Sequence, residues 1–397
     1  MDTQNTPVHV RLWNRDFWLL AFANMLVTMA VYMQLVLLQA APGVCHSMEI
    51  GSMAAMMASY AVGLYLFGCF CSYLVQRKRR NRVCIYAILL LAVCLVVPYD
   101  MRRWIEGSWL SWVTLLTRLL TGALFGIIQM ILSSTLVVDC SESCQRTEAN
   151  YAEAWFGRLA MALGPLTGLV VAQLTNHEWA VWVSAGLAVV SVLLIMMVRF
   201  PFRAPDDNVS LFSTDRFFLP SAWLLFINLL LVSMAVGVCL SFAVGSPLLF
   251  AALMTGFLIA LLAEKLFFVN VELKSETVSA LILIGLAAWL LAARHSSTSD
   301  CVAFSMVGLG SGLIGSRFLL FFIKLSHHCQ RGTSQSTFFL SWESGIALGL
   351  ALSYAFIETD GWPARQYVLS LAWCLVILSL LLYLLFTHQW YIRHKNR

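Results

Sequence analysis

The sequence contains few charged residues for its length. Of its 397 residues, 11% are Asp, Glu, Lys or Arg, whereas 60% are hydrophobic. Soluble domains carry about 25% charged residues, so this deficit excludes an ordinary water-soluble domain and places the chain in a lipid bilayer. The formal net charge of +5 reflects basic residues in short connections between apolar segments. It therefore gives no reason to expect a nucleic-acid partner.

Signals of secretion, metal binding and catalysis are also missing. No small-residue cleavage motif stands out after the first apolar segment, which argues against a cleaved signal peptide. The cysteines lie mostly within apolar segments, as small packing residues do, so no disulfide framework is predicted. His327 and His328 lack further suitably spaced ligands, and no metal site is predicted. No catalytic constellation of His, Asp or Cys is found, so neither an enzyme nor a cofactor is expected.

Twelve apolar runs have about the length needed to cross a hydrocarbon core roughly 30 Å thick. The fold class predicted from them is an all-α polytopic membrane protein with twelve transmembrane helices. The predicted spans are 17–40, 48–75, 83–99, 109–137, 153–175, 179–200, 218–242, 247–268, 277–293, 301–324, 336–357 and 366–386.

The distribution of Lys and Arg predicts the orientation, because short cytoplasmic loops retain positive charge. With the N-terminus inside, 18 of the 25 basic residues lie on the cytoplasmic side and four lie on the opposite side. Both termini are therefore predicted to be cytoplasmic, in a multi-pass protein of the plasma (inner) membrane. Arg118, Arg158 and Arg317 lie inside apolar segments. A mid-membrane arginine is costly and indicates a function, although Arg317 has the alternative of snorkelling to the headgroups.

The second half of the chain repeats the first. WLLAFANMLVTMAV (18–31) resembles WLLFINLLLVSMAV (223–236), mostly at an offset of 205 residues. Gly68 aligns with Gly256, and residues 144–146 and 162–164 recur 185 residues later. Three pairs of similar segments occur in the same order in the two halves. They predict that the twelve spans arose by duplication of a unit of six. The predicted parts are an N-terminal bundle at 1–200, a cytoplasmic linker at 201–216 and a C-terminal bundle at 217–397.

The 185-residue offset places Arg158 opposite Glu343. Either charge would be costly if unpaired in a membrane, so we expect them to interact across the halves as a gate element. Protonation of Glu343 would then supply proton coupling. The alternative is a structural carboxylate bonded to Ser341 or Ser344. Four further residues are candidates for lining a central cavity: Asn24, Asn228, Trp155 and Trp342.

Taken together, these features resemble the major facilitator superfamily of secondary transporters over essentially the full length. Motif A is represented in part, with Gln76 near the position of its acidic residue, and motif C has Ala160 and Leu169 in place of two glycines. Gly126 adds a small residue one turn after motif B. The positions that match are Gly68 and Arg77 for motif A, Arg118 and Gly122 for motif B, and Gly164, Pro165 and Gly168 for motif C.

The resemblance implies a transporter that moves a small organic solute by alternating access through a central site, working as a monomer in the bilayer. Motif C is associated with drug/proton antiporters, which implies proton-coupled efflux of amphipathic or hydrophobic compounds. One alternative is proton-linked uptake of a nutrient, such as an organic anion bound by Arg118 or Arg158. An intramembrane transferase and a nontransporting sensor are less favoured.

Overall fold

A computed structural model describes residues 12–40, 52–101, 104, 108–137, 140–141, 145–200, 209–267, 272–294, 296–327, 330–360 and 362–395. Within these ranges the regular structure is helical, and twelve helices are long and apolar enough to cross a membrane. The predicted all-α architecture with twelve spans is confirmed.

The twelve helices are named α1 to α12 in chain order. Some continue in tighter or wider turns: α2 runs through Gly68–Phe70 into Cys71–Arg77, α4 ends in the π-turn Leu132–Leu136, and α12 continues through Tyr383–Thr387 to His388–His394. Their bounds are α1 Arg15–Ala40, α2 Ser52–Leu66, α3 Arg80–Met101, α4 Ser108–Ile131, α5 Arg146–Leu174, α6 His177–Met196, α7 Trp223–Leu240, α8 Pro247–Leu266, α9 Leu273–Ala293, α10 Ser297–Leu325, α11 Arg331–Asp360 and α12 Trp362–Leu382.

The helices form two six-helix bundles with the same internal arrangement. In the first bundle, α1 packs on α5 and α6, α4 packs on α2 and α3, and α3 packs on α6. In the second, α7 packs on α11 and α12, α10 packs on α8 and α9, and α9 packs on α12. Each contact in one bundle has its counterpart in the other, so the predicted pair of pseudo-symmetric bundles is confirmed.

Two close helix crossings fix the register of the repeat. Gly164 of α5 lies against the backbone carbonyl of Met29 in α1, and Gly349 of α11 lies against that of Met234 in α7. A Cβ atom at either glycine would collide with this backbone, so both crossings require glycine. The predicted offsets of 185 and 205 residues are both realised at this crossing.

A second pair of crossings corrects one predicted alignment. Gly63 of α2 and Gly122 of α4 allow these helices to approach backbone to backbone, and Gly256 of α8 and Gly308 of α10 do the same in the other half. The counterpart of Gly256 is therefore Gly63. The sequence alignment paired Gly256 with Gly68, which lies about one and a half helical turns after Gly63 in the chain.

The bundles meet through α2 against α11 and α5 against α8. The connection before α7 also packs on both: the Ser213 amide donates to the carbonyl of Cys69, the Arg216 amide donates to Thr333 Oγ1, and the Phe217 ring occupies the space beside Gly68. Residues 201–208 of the predicted linker lie outside the described residues. The limits of the linker and of the two bundles stay predictions.

Candidate functional site

A cavity of about 580 Å³ lies between the bundles. Helices α1, α4 and α5 form one wall and α11 forms the other. The lining residues are Asn24, Thr28, Gln129, Ser133, Ser134, Glu153, Ala154, Gly157, Arg158, Gln335, Ser336, Phe338, Phe339, Trp342 and Glu343.

Glu153 is the centre of a buried polar network on the first wall. Asn24 of α1 donates from Nδ2 to Glu153 Oε1, and Ser133 Oγ lies 2.6 Å from the same oxygen. Gln335 of α11 donates from Nε2 to Glu153 Oε2 at 2.8 Å. Three neutral donors from three helices therefore surround one carboxylate, and the donor from α11 crosses between the bundles.

Gln129 of α4 extends this network. Its Nε2 donates to Asn24 Oδ1 at 2.6 Å and to Thr28 Oγ1 at 3.1 Å. Ser133 Oγ lies 2.8 Å from Gln129 Oε1 as well as beside Glu153. One hydroxyl proton can serve only one of these two acceptors at a time, so the network has two hydrogen-bonding arrangements of similar geometry.

Arg158 lies 12 residues after the start of α5, roughly 18 Å along the helix. Its Nη1 donates to the carbonyl of Gly312 at 3.0 Å and to Ser316 Oγ at 2.6 Å, both on α10. The Trp155 ring lies 4.4 Å from its guanidinium carbon. Arg158 is 4% exposed, and its Nε and Nη2 have no acceptor among the described residues.

Glu343 lies at the equivalent depth in α11, 12 residues after its start. The hydroxyl of Tyr32 in α1 is 2.9 Å from Oε1 and 3.0 Å from Oε2. Glu343 is 5% exposed, and no cationic side chain among the described residues contacts its carboxylate. This bond also crosses between the bundles.

The predicted ion pair between Arg158 and Glu343 is not formed in this structure. Each side chain binds a neutral partner on the opposite bundle, because α10 and α1 offer hydroxyl and carbonyl groups nearer than the other charge. The two hydroxyls suggested as structural partners of Glu343 also bond elsewhere, and the hydroxyl that reaches its carboxylate is that of Tyr32. Ser341 donates to the Phe226 carbonyl at 2.7 Å, and Ser344 donates to the Leu340 carbonyl.

A second, apolar cavity has a volume of about 310 Å³. Glu343 lines the first cavity and Tyr32 lines the second, so their hydrogen bond joins one residue of each lining. The second cavity is lined by Tyr32, Leu35, Met161, Pro165, Leu240, Val244, Phe250, Ile346 and Leu350.

Two of the four predicted cavity-lining residues lie elsewhere. Asn24 and Trp342 line the cavity as expected. Asn228 is buried inside the second bundle, where its Nδ2 donates to the Ser379 carbonyl and to Thr387 Oγ1, both at 3.2 Å. Trp155 packs beneath Arg158 and does not line the cavity. The near match of Asn24 and Asn228 in the repeat does not carry over to their surroundings.

The other intramembrane arginines stand apart from the cavity. Arg118 is buried, and its Nη2 donates to the Gln34 carbonyl at 3.3 Å. Arg317 forms an ion pair with Glu276 of α9, inside the second bundle, which accounts for its charge without snorkelling. Neither side chain lines a described cavity.

The small residues of the family motifs serve helix packing. Gly126 of α4 lies against the backbone of Leu64 in α2, and a Cβ atom added to Gly168 of α5 would lie 3.4 Å or more from the side chain of Met33 in α1. Arg77 is exposed and donates to the Tyr73 hydroxyl one turn earlier, at 2.9 Å. The expected gate roles of these residues stay predictions.

Sequence reasoning missed Glu153, Gln129, Gln335 and Tyr32. The signal for Glu153 was available, since an ionisable residue inside an apolar helix indicates a functional site by default. Gln129, Gln335 and Tyr32 are uncharged, and only the packing brings them beside Glu153 and Glu343. No group of three metal-ligating side chains occurs among the described residues, and His328 lies outside them.

No family model matches the sequence, and no curated protein matches it. Solved structures of transporters do match the fold. The chain has the fold of the major facilitator superfamily. The nucleoside transporter NupG superposes with a TM-score of 0.66 at 14% identity, covering 94% of this chain and 99% of that one. The human organic anion transporter MFSD10 (TETRAN) gives 0.64 at 15%, covering 93% and 98%, and a peptide transporter POT gives 0.65 at 14%, covering 92% and 93%.

Proposed function

We propose that this chain is a secondary transporter that moves a small polar organic solute by alternating access, with the solute bound in the cavity between α1, α4, α5 and α11. The observation that carries the proposal is this cavity, which lies in the first half of both α5 and α11 and is lined by polar side chains from both bundles. Burying so many polar groups within a membrane is costly without a function.

Three bonds that cross between the bundles support alternating access. They join Glu153 to Gln335, Arg158 to Ser316, and Tyr32 to Glu343. Each uses a neutral group on at least one side, so each can break without leaving two unpaired charges. A rocking motion of one bundle against the other would exchange these bonds for bonds to the solute and to water.

Proton coupling at Glu343 is the finer part of this proposal. The charged and titratable groups around Glu343 are Tyr32 on α1, Tyr60 on α2, and Glu153 and Arg158 across the cavity. With both carboxylates ionised, the cavity carries one negative charge more than Arg158 compensates. A low-dielectric site strongly disfavours such an excess of charge. Binding a proton at Glu343 removes the excess negative charge.

The direction of transport follows from the charge of the solute. A cationic solute would take the place of the proton and be exchanged for it, as in a drug/proton antiporter. An anionic solute would bind together with the proton and be cotransported. The aromatic wall of Phe338, Phe339 and Trp342 suits the amphipathic compounds of the antiporter hypothesis, whereas the polar lining favours polar solutes over purely hydrophobic ones.

Proteoliposomes containing the purified protein and a pH-sensitive dye test this proposal. We expect at least one member of a panel of organic acids, amines, amino acids, sugars and nucleosides to drive proton movement that protein-free liposomes lack. Glu343→Gln should abolish the proton movement and retain solute exchange. Glu276→Gln, a buried carboxyl outside the cavity, is the matched control. Solute exchange absent for the whole panel in folded protein would contradict the proposal.

A further inference from the structure

We propose that Arg158 binds an anionic group of the transported solute, a carboxylate or a phosphate, so that the cavity is a site for small organic anions. The inference rests on the proposed transport function, because it assigns the solute class to the same cavity. It starts from two buried donors of Arg158 that have no acceptor among the residues that the structure describes.

The free donors of Arg158 have the geometry of an anion site. Its Nη1 is engaged by Gly312 and Ser316 of α10. The unengaged nitrogens, Nε and Nη2, are buried and point the same way from one edge of the guanidinium group. These two N–H groups form the fork that receives both oxygens of a carboxylate or phosphate in parallel hydrogen bonds.

The guanidinium group is held in place before any solute arrives. Trp155 lies against it at 4.4 Å, and Gly315 of α10 packs so closely that an added Cβ atom would be 3.0 Å from Nε. Together with the bonds to Gly312 and Ser316, these contacts fix the side chain from α5 and α10. A fixed fork loses little conformational entropy when it binds an anion.

The positive charge of Arg158 is not neutralised by direct contact. Its hydrogen-bond acceptors are a backbone carbonyl and a hydroxyl, both neutral. Glu153, five residues earlier, receives bonds from Asn24 and Gln335 and lies beside Ser133, while Glu343 is bonded to Tyr32. Both nearby carboxylates are thus engaged elsewhere, and neither bonds to the Nε–Nη2 edge of Arg158.

The other lining residues indicate the chemistry of the remainder of the solute. Phe338, Phe339 and Trp342 provide a flat apolar surface on α11. Gln335 Oε1 and Ser336 Oγ are buried without a hydrogen-bond partner, and the first of these can only accept. The solute expected here has an anionic group, a planar or apolar body, and a hydroxyl, amine or amide donor.

A matched charge series tests the inference by calorimetry on the purified full chain in detergent. The probes are 4-aminobenzoate, 4-aminobenzamide and 4-aminobenzamidine, which share one shape and carry negative, neutral and positive charge, with phenyl phosphate as a second anion. We expect an anion to bind at least about tenfold more tightly than the amide or the amidine, the factor that one charge-assisted pair supplies. Tighter binding of phenyl phosphate than of 4-aminobenzoate would identify phosphate as the group bound.

Variants of the fork separate anion binding from folding. Arg158→Gln should abolish the preference for anions, and Arg158→Lys, which keeps the charge but lacks the fork, should retain only part of it. Gly315→Ala should weaken anion binding by displacing the guanidinium group, even if Arg158→Gln does not fold. Arg118→Gln, a buried arginine outside the cavity, should bind as the unmodified protein does.

Two results would overturn the inference: equal or tighter binding of the amide or the amidine, or no binding of either anion at millimolar concentration. Different results would overturn the transport proposal. Proton movement driven by a neutral or cationic solute would leave transport intact and remove the anion site. Anion binding that depends on Arg158, with no exchange in proteoliposomes, would leave the site and remove transport.

Discussion

The two walls of the central cavity come from equivalent bundles and yet differ in chemistry. The first wall uses three helices, α1, α4 and α5, and carries the hydrogen-bonded network around Glu153 together with Arg158. The second wall is one helix, α11, which offers three aromatic rings together with Gln335, Ser336 and Glu343. The helix crossings at Gly164 and Gly349 are nevertheless the same in both halves.

This difference shows which features the duplication preserved and which it did not. Backbone geometry is retained wherever a glycine lets two helices approach, because any side chain there would disrupt the bundle. Residues that face the cavity have no such constraint. Under the proposed function, the first wall would bind and orient a polar solute, and the second would pack against its body and take up a proton.

The largest effect is expected from removing the centre of the first wall. Glu153→Ala leaves the amides of Asn24 and Gln335 without their acceptor, and each buried unsatisfied donor costs about 1–3 kcal/mol. We predict loss of solute binding and a clearly lower melting temperature in detergent. Phe338→Ala, at the equivalent position of α11, should reduce affinity and leave the network intact. Equal losses in the two variants would contradict the asymmetry of the walls.

The two equivalent glycine crossings should respond alike. Gly164→Ala and Gly349→Ala each place a Cβ atom against a backbone carbonyl, of Met29 and Met234 respectively. Overpacking of this kind costs about 1–3 kcal/mol. Melting temperatures should fall by similar amounts in the two variants, and Gly186→Ala, where nothing lies within 4 Å, provides the control. A loss at only one crossing would show that the halves differ in packing as well as in chemistry.

The two asparagines that nearly coincide in the repeat should differ. Asn24→Ala removes a donor to Glu153 and an acceptor for Gln129, so solute affinity should fall. Asn228→Ala removes bonds between α7 and α12, so stability should fall by about 1 kcal/mol while affinity is retained. Calorimetric titration and thermal unfolding of both variants check this. Loss of affinity in Asn228→Ala would argue that the second bundle shapes the site from a distance.

No recovery of transport is expected from exchanging the two equivalent charges, and this is the smallest change predicted. The double variant Arg158→Glu with Glu343→Arg should recover none of the activity lost in the single variants, because the two side chains bind Ser316 and Tyr32 and do not contact each other. Solute exchange in proteoliposomes measures this. Recovery in the double variant would show that the two charges pair in another state of the transport cycle.

Much of the fold could be predicted from the sequence. Membrane thickness constrains the length of each span, and the repeated apolar segments constrain how the two halves align. The match of residues 162–164 to 347–349 identified the glycines at which α5 crosses α1 and α11 crosses α7. The site was only partly predictable. Arg158 and Glu343 were recognisable as charges inside apolar helices, whereas their partners Ser316 and Tyr32 depend on side-chain reach and on the rotation of α10 and α1. Helical periodicity alone does not determine these.

Labelling of cavity cysteines tests the central claim most directly, since it needs no knowledge of the solute. Ala154→Cys on the first wall and Ser336→Cys on the second are introduced into a chain whose native cysteines are replaced, and oriented vesicles are treated with a membrane-impermeant thiol reagent from either side. Alternating access predicts that both positions are labelled from both sides, while Ala288→Cys in the second bundle is labelled from neither. Labelling from one side alone, or from neither side, would contradict the assignment of this cavity as the transport site.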